Sequence, residues 1–309
     1  HLRQQHVPAF VIDFENEYSD ETLVGLTLKP GDDVAVNPLD LLEGSPTTVK
    51  YRVSGILKKI YKLGDQQEPL LRSAIAAAYE VAGIFEKDKL TWNSPPPAFE
   101  SIRGQLEAVT RGKGERAKRA EAVLNRLEPI FELAFFGGNT QVPFEDILRK
   151  GATVFLRDLP TDDTKLAAAE FFLRWLWHRI VTMGETKNLL RLLVVLDEAH
   201  KLAYEQSPVA ALLRQGRKYG VGVLLSTQQP DDFESKELAF QNTALHMCFS
   251  CNAERHARTM AREMLGGEEL YQTIRKLKQF EAVSLSHREG SGPRTLTVVP
   301  HYELVVRSP

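Results

Sequence analysis

The apolar residues of this chain come in short unbroken runs separated by stretches of helical period, the pattern of alternating strands and helices. Residues 7–12, VPAFVI, form one such run and end on Asp13, as a buried parallel strand does. From 15 to 44 the text is punctuated by Gly, Pro, Asn and Asp, which predicts loop with short extended pieces. Residues 47–136 differ. KYRVSGILKKIYKL and PLLRSAIAAAYEVAGIF have helical composition, and Val123, Leu127, Ile130 and Ala134 recur at the spacing of one helix face. The alternation then resumes with a strand at 152–156 and a helix at 165–181, with Leu166, Ala169, Leu173, Leu176 and Ile180 on one face. A strand at 192–196, a helix at 208–219 and strands at 221–226 and 244–249 follow. Helices at 253–265 and 268–277 precede a hairpin of 280–286 and 295–299 about the turn 290-GSG-292. Strands separated by helices make βαβ units. The expectation is an α/β fold with a mostly parallel sheet flanked by helices. Residues 1–46 and 137–309 supply that core, 47–136 form an inserted all-helical subdomain, and the chain closes on a β-hairpin.

A length of 309 residues suits one large domain or two ordinary ones, and 43% apolar with 26% charged residues is a soluble globular composition. The formal charge of −2 gives no overall footprint for nucleic acid, so any basic surface must be local. One cluster qualifies, 111-RGKGERAKRA-120, with Arg111, Lys113, Arg116, Lys118 and Arg119. Such a segment opening a helix can track phosphates, although Glu115 and Glu121 dilute it and it reads equally as a solvated face. No apolar run approaches the roughly 18 residues of a membrane span. The N-terminus HLRQQHVPAF lacks a signal-peptide core and does not start with Met; it reads as a helix entered partway. Two cysteines, Cys248 and Cys251, argue against a disulfide scaffold and fit a reducing cytoplasm. Three apart on a strand they point to opposite faces, and no second Cys/His pair follows, so they read as buried thiols rather than metal ligands.

The chemistry concentrates at two strand ends. In 191-RLLVVLDEAHK-201 the strand 192–196 shows no alternation, which predicts burial on both faces, and Asp197 and Glu198 emerge at its C-terminal edge. Ligands of parallel sheets bind at that edge. An aspartate there can hold Mg²⁺, which prefers oxygen ligands and keeps several waters, and a neighbouring glutamate can orient or deprotonate an attacking water. The structural alternative makes Asp197 a helix cap and Glu198 a first-turn charge. Further on, 214-RQGRKYGVGVLLSTQQP-230 places Arg217 and Lys218 at a helix end and Gln228 at the tip of the next strand. The glutamine can contact a γ-phosphate or its attacking water, and an arginine can stabilise transition-state charge across a subunit boundary. The same residues also suit a helix C-terminus and a polar turn. The partner motif of a nucleotide site, G-x-x-x-x-G-K-[ST], occurs nowhere in the sequence.

These stretches resemble the HerA/FtsK-like P-loop ATPases, DNA-translocating motors with a RecA-like core. The segment 192-LLVVLDEAH-200 is similar to the family's Walker B strand and 216-GRKYGVGVLLSTQQP-230 to its RKxGV strand and STQ-type motif. In addition 9-AFVIDFENEYSD-20 is similar to its Asp…Glu-Tyr motif, 34-VAVNPLDLL-42 occurs in comparable form, and 241-QNTALHMCFSC-251 resembles its Gln-Asn-Thr strand. The resemblance covers most of the chain outside the helical block. It implies Mg²⁺-dependent ATP hydrolysis between subunits of a ring, a hexamer, acting on duplex DNA. Asp197 would hold Mg²⁺, Glu198 activate water, Gln228 sense the γ-phosphate and Arg217 act in trans, with Asp13 and Glu17 near the nucleotide or the subunit interface. It also implies that the phosphate-cradling loop lies on a helix upstream of residue 1, so that this stretch alone binds nucleotide weakly. The large helical block suggests a specialised member coupled to a nuclease or a DNA-restriction (phage-defence) complex of the DptH/DndH type. The string DEAH at 197–200 invites a DEAH-box assignment, but that family's paired-arginine run is absent and His200 reads as a structural or coupling residue. Two rival functions remain: a non-hydrolysing scaffold on the same fold, and a secretion or conjugation ATPase.

Overall fold

The computed structural model describes residues 7–18, 25–29, 34–42, 44–132, 136, 140–141, 144–187, 189–287, 290 and 292–299. The expected helical turn at 2–6, Ala134 and Ser291 lie outside these residues. The chain divides into two compact units, one of residues 1–197 with 218–224, the other of 198–217 with 225–309.

The first unit is built on a five-stranded parallel sheet of order β2-β5-β1-β6-β7. Its strands are β1 (Ala9–Asp13), β2 (Leu26–Leu28), β5 (Ala152–Phe155), β6 (Leu192–Leu196) and β7 (Val221–Leu225); β3 (Val34–Ala35) and β4 (Thr140–Gln141) pair separately. The unalternating runs explain why β1 and β5 take inner places, since both are buried along nearly their whole length. In β6, Leu192, Val194 and Leu196 are buried, whereas Leu193 and Val195 are only half-buried, so the expectation of two buried faces holds for one. Gly151, at φ 79°, turns the chain into β5 so close to β1 that a Cβ would stand 2.4 Å from the Ala9 carbonyl oxygen. Only glycine fits both constraints.

Residues 46–131 form four helices, α1 (Pro46–Tyr61), α2 (Gln67–Val81), α3 (Ser101–Thr110) and α4 (Glu115–Phe131). Ser45 caps α1 by accepting the Thr48 N–H, with Pro46 in the first turn where its missing N–H costs nothing. Val123, Leu127 and Ile130 are fully buried, as their spacing predicts. After α5 (Phe144–Lys150) and β5, helix α6 (Asp162–Thr182) starts at the Thr161 cap, with two aspartates in its first turn. Helices α1 and α4 pack on α6, joined by a Phe99–Phe131–Phe136–Phe171 aromatic cluster and a Tyr61–Thr164 hydroxyl contact of 3.3 Å.

In the second unit α7 (Pro208–Gln215) ends in a 3₁₀ turn, and α8 (Lys236–Gln241) follows. The three strands β8 (Leu245–Phe249), β9 (Glu281–Ser286) and β10 (Arg294–Thr297) form an antiparallel sheet of order β10-β9-β8. The expected C-terminal hairpin is therefore present, and β8 joins it instead of the parallel sheet. Helices α9 (Glu254–Glu263) and α10 (Glu268–Lys276) bury Ala257, Met260, Tyr271 and Ile274 against Cys248, Val283 and Leu285. Burial pushes the Cys248 thiol up to about 12. Cys251 lies past the end of β8 and is only half-buried, so the expectation of two buried thiols fails there.

Candidate active site

In the first unit the site residues stand on neighbouring strand ends. Parallel register pairs Ile12 of β1 with Leu196 of β6, so Asp13 and Asp197 are the next residues of adjacent strands. The Asp197 N–H donates to the Ile12 carbonyl at 3.3 Å. The two carboxylates have different surroundings. Asp13 is fully buried and accepts three backbone N–H bonds, from Glu15 (3.1 Å), Glu17 (3.2 Å) and Tyr18 (3.0 Å). It organises the turn after β1, and both of its oxygens are committed to its own chain. Glu17 is exposed at the end of that turn. Asp197 is nearly buried, yet its carboxylate accepts no hydrogen bond among the described residues.

Tyr18 reports the local field. Burial raises its pKa, and the negative charges of Asp197, Asp13 and Glu17 raise it further, so the phenol keeps its proton. A desolvated carboxylate without a donor, in a region already negative, suits a cation. Among the described residues no group of three or more His, Cys, Asp or Glu side chains could hold a metal. Mg²⁺ takes one or two carboxylates and keeps water and phosphate oxygens as its other ligands, so a single aspartate at a strand end is a donor it can use.

The second unit begins at Glu198, joined to Asp197 by a peptide bond. Glu198 has left-handed backbone angles, φ 46° and ψ 42°, uncommon for a residue with a side chain. Its Oε2 lies 3.2 Å from His200 Nδ1, and the same nitrogen lies 3.0 Å from Thr227 Oγ1. The Ala199 N–H donates to the Ser226 carbonyl at 2.8 Å, tying the segment after β6 to that after β7. Burial lowers the His200 pKa, partly opposed by the negative charge of Glu198, so the ring is neutral near pH 7. Gln228 is exposed immediately beyond Thr227, and Arg217 is exposed in the turn after α7 with no ion pair among the described residues. Lys218, in the first unit, pairs with Glu185 at 2.7 Å.

Two features escaped the sequence reading. One is the grip of His200 on Thr227, residues 27 positions apart. The other surrounds Asp231, three residues past Gln228. Its carboxylate takes Lys236 Nζ (2.7 Å), His256 Nδ1 (2.8 Å), Thr259 Oγ1 (2.6 Å) and Arg255 Nε (3.3 Å), anchoring the segment after β7 to α9. No local motif marks these partners. The basic residues Lys113, Arg116, Lys118 and Arg119 are all exposed around the start of α4, with Lys118 paired to Glu115 at 3.2 Å.

No family model matches the sequence, and a search of curated proteins finds no match. Solved structures do match. VirB4 of Thermoanaerobacter pseudethanolicus is similar over 98% of this chain and 84% of its own, at 18% identity and a TM-score of 0.74. The bacterial conjugative coupling protein TrwB, lacking its first 70 residues, covers 96% of this chain and 86% of its own, at 13% identity and a TM-score of 0.53. The plasmid coupling protein TrwB in complex with ADP and Mg²⁺ is similar over the same shares at 14% identity, with a TM-score of 0.53. The fold is therefore the one shared by VirB4 and TrwB. The strand carrying Asp197 is an inner strand of the parallel sheet, next to the one that ends on Asp13. Among the described residues no helix is long and apolar enough to cross a membrane.

Proposed function

We propose that this protein is a Mg²⁺-dependent ATPase that uses hydrolysis to move DNA. The observation that carries the reading is the pair Asp197–Glu198 at the end of an inner strand, the first carboxylate without a donor among the described residues and the second 3.2 Å from a neutral histidine. Asp197 is the residue to hold Mg²⁺, which when bound draws charge from the phosphate oxygens. Glu198 orients a water for in-line attack on the γ-phosphorus and takes its proton, while the bond from that phosphorus to the β–γ bridging oxygen breaks and ADP leaves. Gln228 contacts the γ-phosphate or the water. Arg217, exposed and without an ion pair among the described residues, reaches the nucleotide of a neighbouring subunit, which requires a ring, here taken as a hexamer. Glu17 stands at the nucleotide or subunit boundary, and Asp13 shapes the turn that presents it.

DNA as the moved polymer is supported by the likeness to a plasmid coupling protein and by the exposed segment with Lys113, Arg116, Lys118 and Arg119. Residues 47–136 are the subdomain that specialises the motor, set between core segments 1–46 and 137–309, and the site of action is the cytoplasm. The likeness to VirB4 and TrwB favours a conjugation or secretion setting; nothing in those structures supports a restriction, defence or nuclease partner. In the full-length protein, Glu198→Gln is expected to lower ATP turnover by roughly 10²–10⁴-fold while ATP affinity stays within about threefold. Duplex DNA should raise the wild-type rate. Wild-type turnover in the variant would refute the assignment of Glu198.

A further inference from the structure

We propose that His200 is the positioning residue of Glu198, its ring nitrogen Nδ1 bonded to the Thr227 hydroxyl and set directly against the Glu198 carboxylate. The inference rests on the hydrolytic reading above and adds a coupling to it. His200 Nδ1 makes a hydrogen bond of 3.0 Å with Thr227 Oγ1 and lies 3.2 Å from Glu198 Oε2. Without a proton, Nδ1 would aim a lone pair at a carboxylate oxygen, which is repulsive. Nδ1 therefore carries the hydrogen, donated to Thr227 Oγ1 with the Glu198 carboxylate drawn up beside it by charge–dipole attraction, and in the neutral ring Nε2 is bare. Thr227 Oγ1 also accepts the Gln229 N–H at 3.0 Å, so the hydroxyl is fixed from both sides. The charges acting on the ring are Glu198, Lys201 and Asp232.

This contact fixes the Glu198 carboxylate through Oε2 and leaves Oε1 for a water. A base oriented by a third group is a recurring arrangement in catalysis. Here the orienting group also holds the residue directly before Gln228. Whatever moves the segment after β7 therefore moves the base, and Glu198 and Gln228 keep one register.

The test uses the full-length protein with two readouts. Long-range ¹⁵N–¹H correlation of the wild type should show His200 neutral, with its proton on Nδ1. His200→Ala should lower kcat by about 10–100-fold, the loss expected of a reacting group displaced by about 1 Å, with KM for ATP within about twofold. His200→Asn, whose amide N–H can stand in for Nδ1–H, should restore most of that loss. Thr227→Val keeps the ring–carboxylate contact and should lower kcat less. It carries the test if His200→Ala does not fold. A proton on Nε2, or wild-type kcat in His200→Ala or Thr227→Val, overturns the inference. A wild type that turns over no ATP overturns the hydrolytic reading instead, and the tautomer still decides whether the grip exists.

Discussion

Asp13 and Asp197 are next-residue neighbours on adjacent strands, and replacing each by alanine should have opposite consequences. Asp13→Ala removes the acceptor of three backbone N–H groups in one turn. Each such bond contributes about 1 kcal/mol net, and more where water cannot replace it. The turn is partly exposed, so the lower figure applies and the expected loss is about 3 kcal/mol, or about 6–12 °C in Tm for a unit of this size. Asp197→Ala removes a carboxylate that no described donor satisfies. Its stability should stay within about 0.5 kcal/mol of wild type or rise slightly. Mg²⁺–ATP affinity should move the other way, falling in Asp197→Ala and far less in folded Asp13→Ala. Thermal and urea unfolding with nucleotide-binding calorimetry on both variants would check this. Equal destabilisation by the two substitutions would sink the distinction between a turn-forming and a metal-holding aspartate.

The Asp231 cluster should appear in acid. Burial alone would raise the pKa of this carboxyl, but the hydrogen bonds from Lys236, Thr259 and His256 hold it well below the usual carboxylate range. A depressed folded pKa contributes stability that is fully present above the unfolded value of about 3.9 and lost as pH falls below it. Asp231→Asn should therefore cost about 2–3 kcal/mol at pH 7, with a gap to wild type that closes below about pH 4. A gap independent of pH in urea titrations would contradict the cluster's electrostatics. For the exposed basic segment, changing Lys113, Arg116, Lys118 and Arg119 to glutamate should weaken duplex binding. It should also flatten the slope of log K against log salt by about 3–4, measured by fluorescence anisotropy; an unchanged slope would remove the segment from the DNA path.

What the sequence made legible was local. The run LLVVL becomes β6, Leu192–Leu196, because nothing interrupts it. Helix α6 is legible by its apolar face, but it begins three residues before the expected start at 165, where Thr161 caps it ahead of two aspartates. Partner choice was less legible. Leu245–Phe249 reads correctly as a strand, but its pairing with β9 is set by residues over 30 positions on. The strand's apolar set is also turned outward. His246 and Cys248 are buried while Leu245, Met247 and Phe249 are exposed, a choice of face that alternation cannot decide when both sets are mostly apolar. At the site, the type and order of Asp197, Glu198 and Gln228 were readable from strand ends. The difference between a satisfied Asp13 and an unsatisfied Asp197 was not, because it depends on where three backbone N–H groups point.

The left-handed backbone at Glu198 sets two selective pressures against each other. Glycine or asparagine would occupy those angles with less strain, which for other residues costs on the order of 1–2 kcal/mol. A search for sturdier variants would accordingly rank Glu198→Gly among the gains, and would in the same step delete the proposed base. Screens of this protein for heat tolerance alone should thus enrich for inactive survivors at position 198, and a glutamate that persists there marks selection for turnover over robustness.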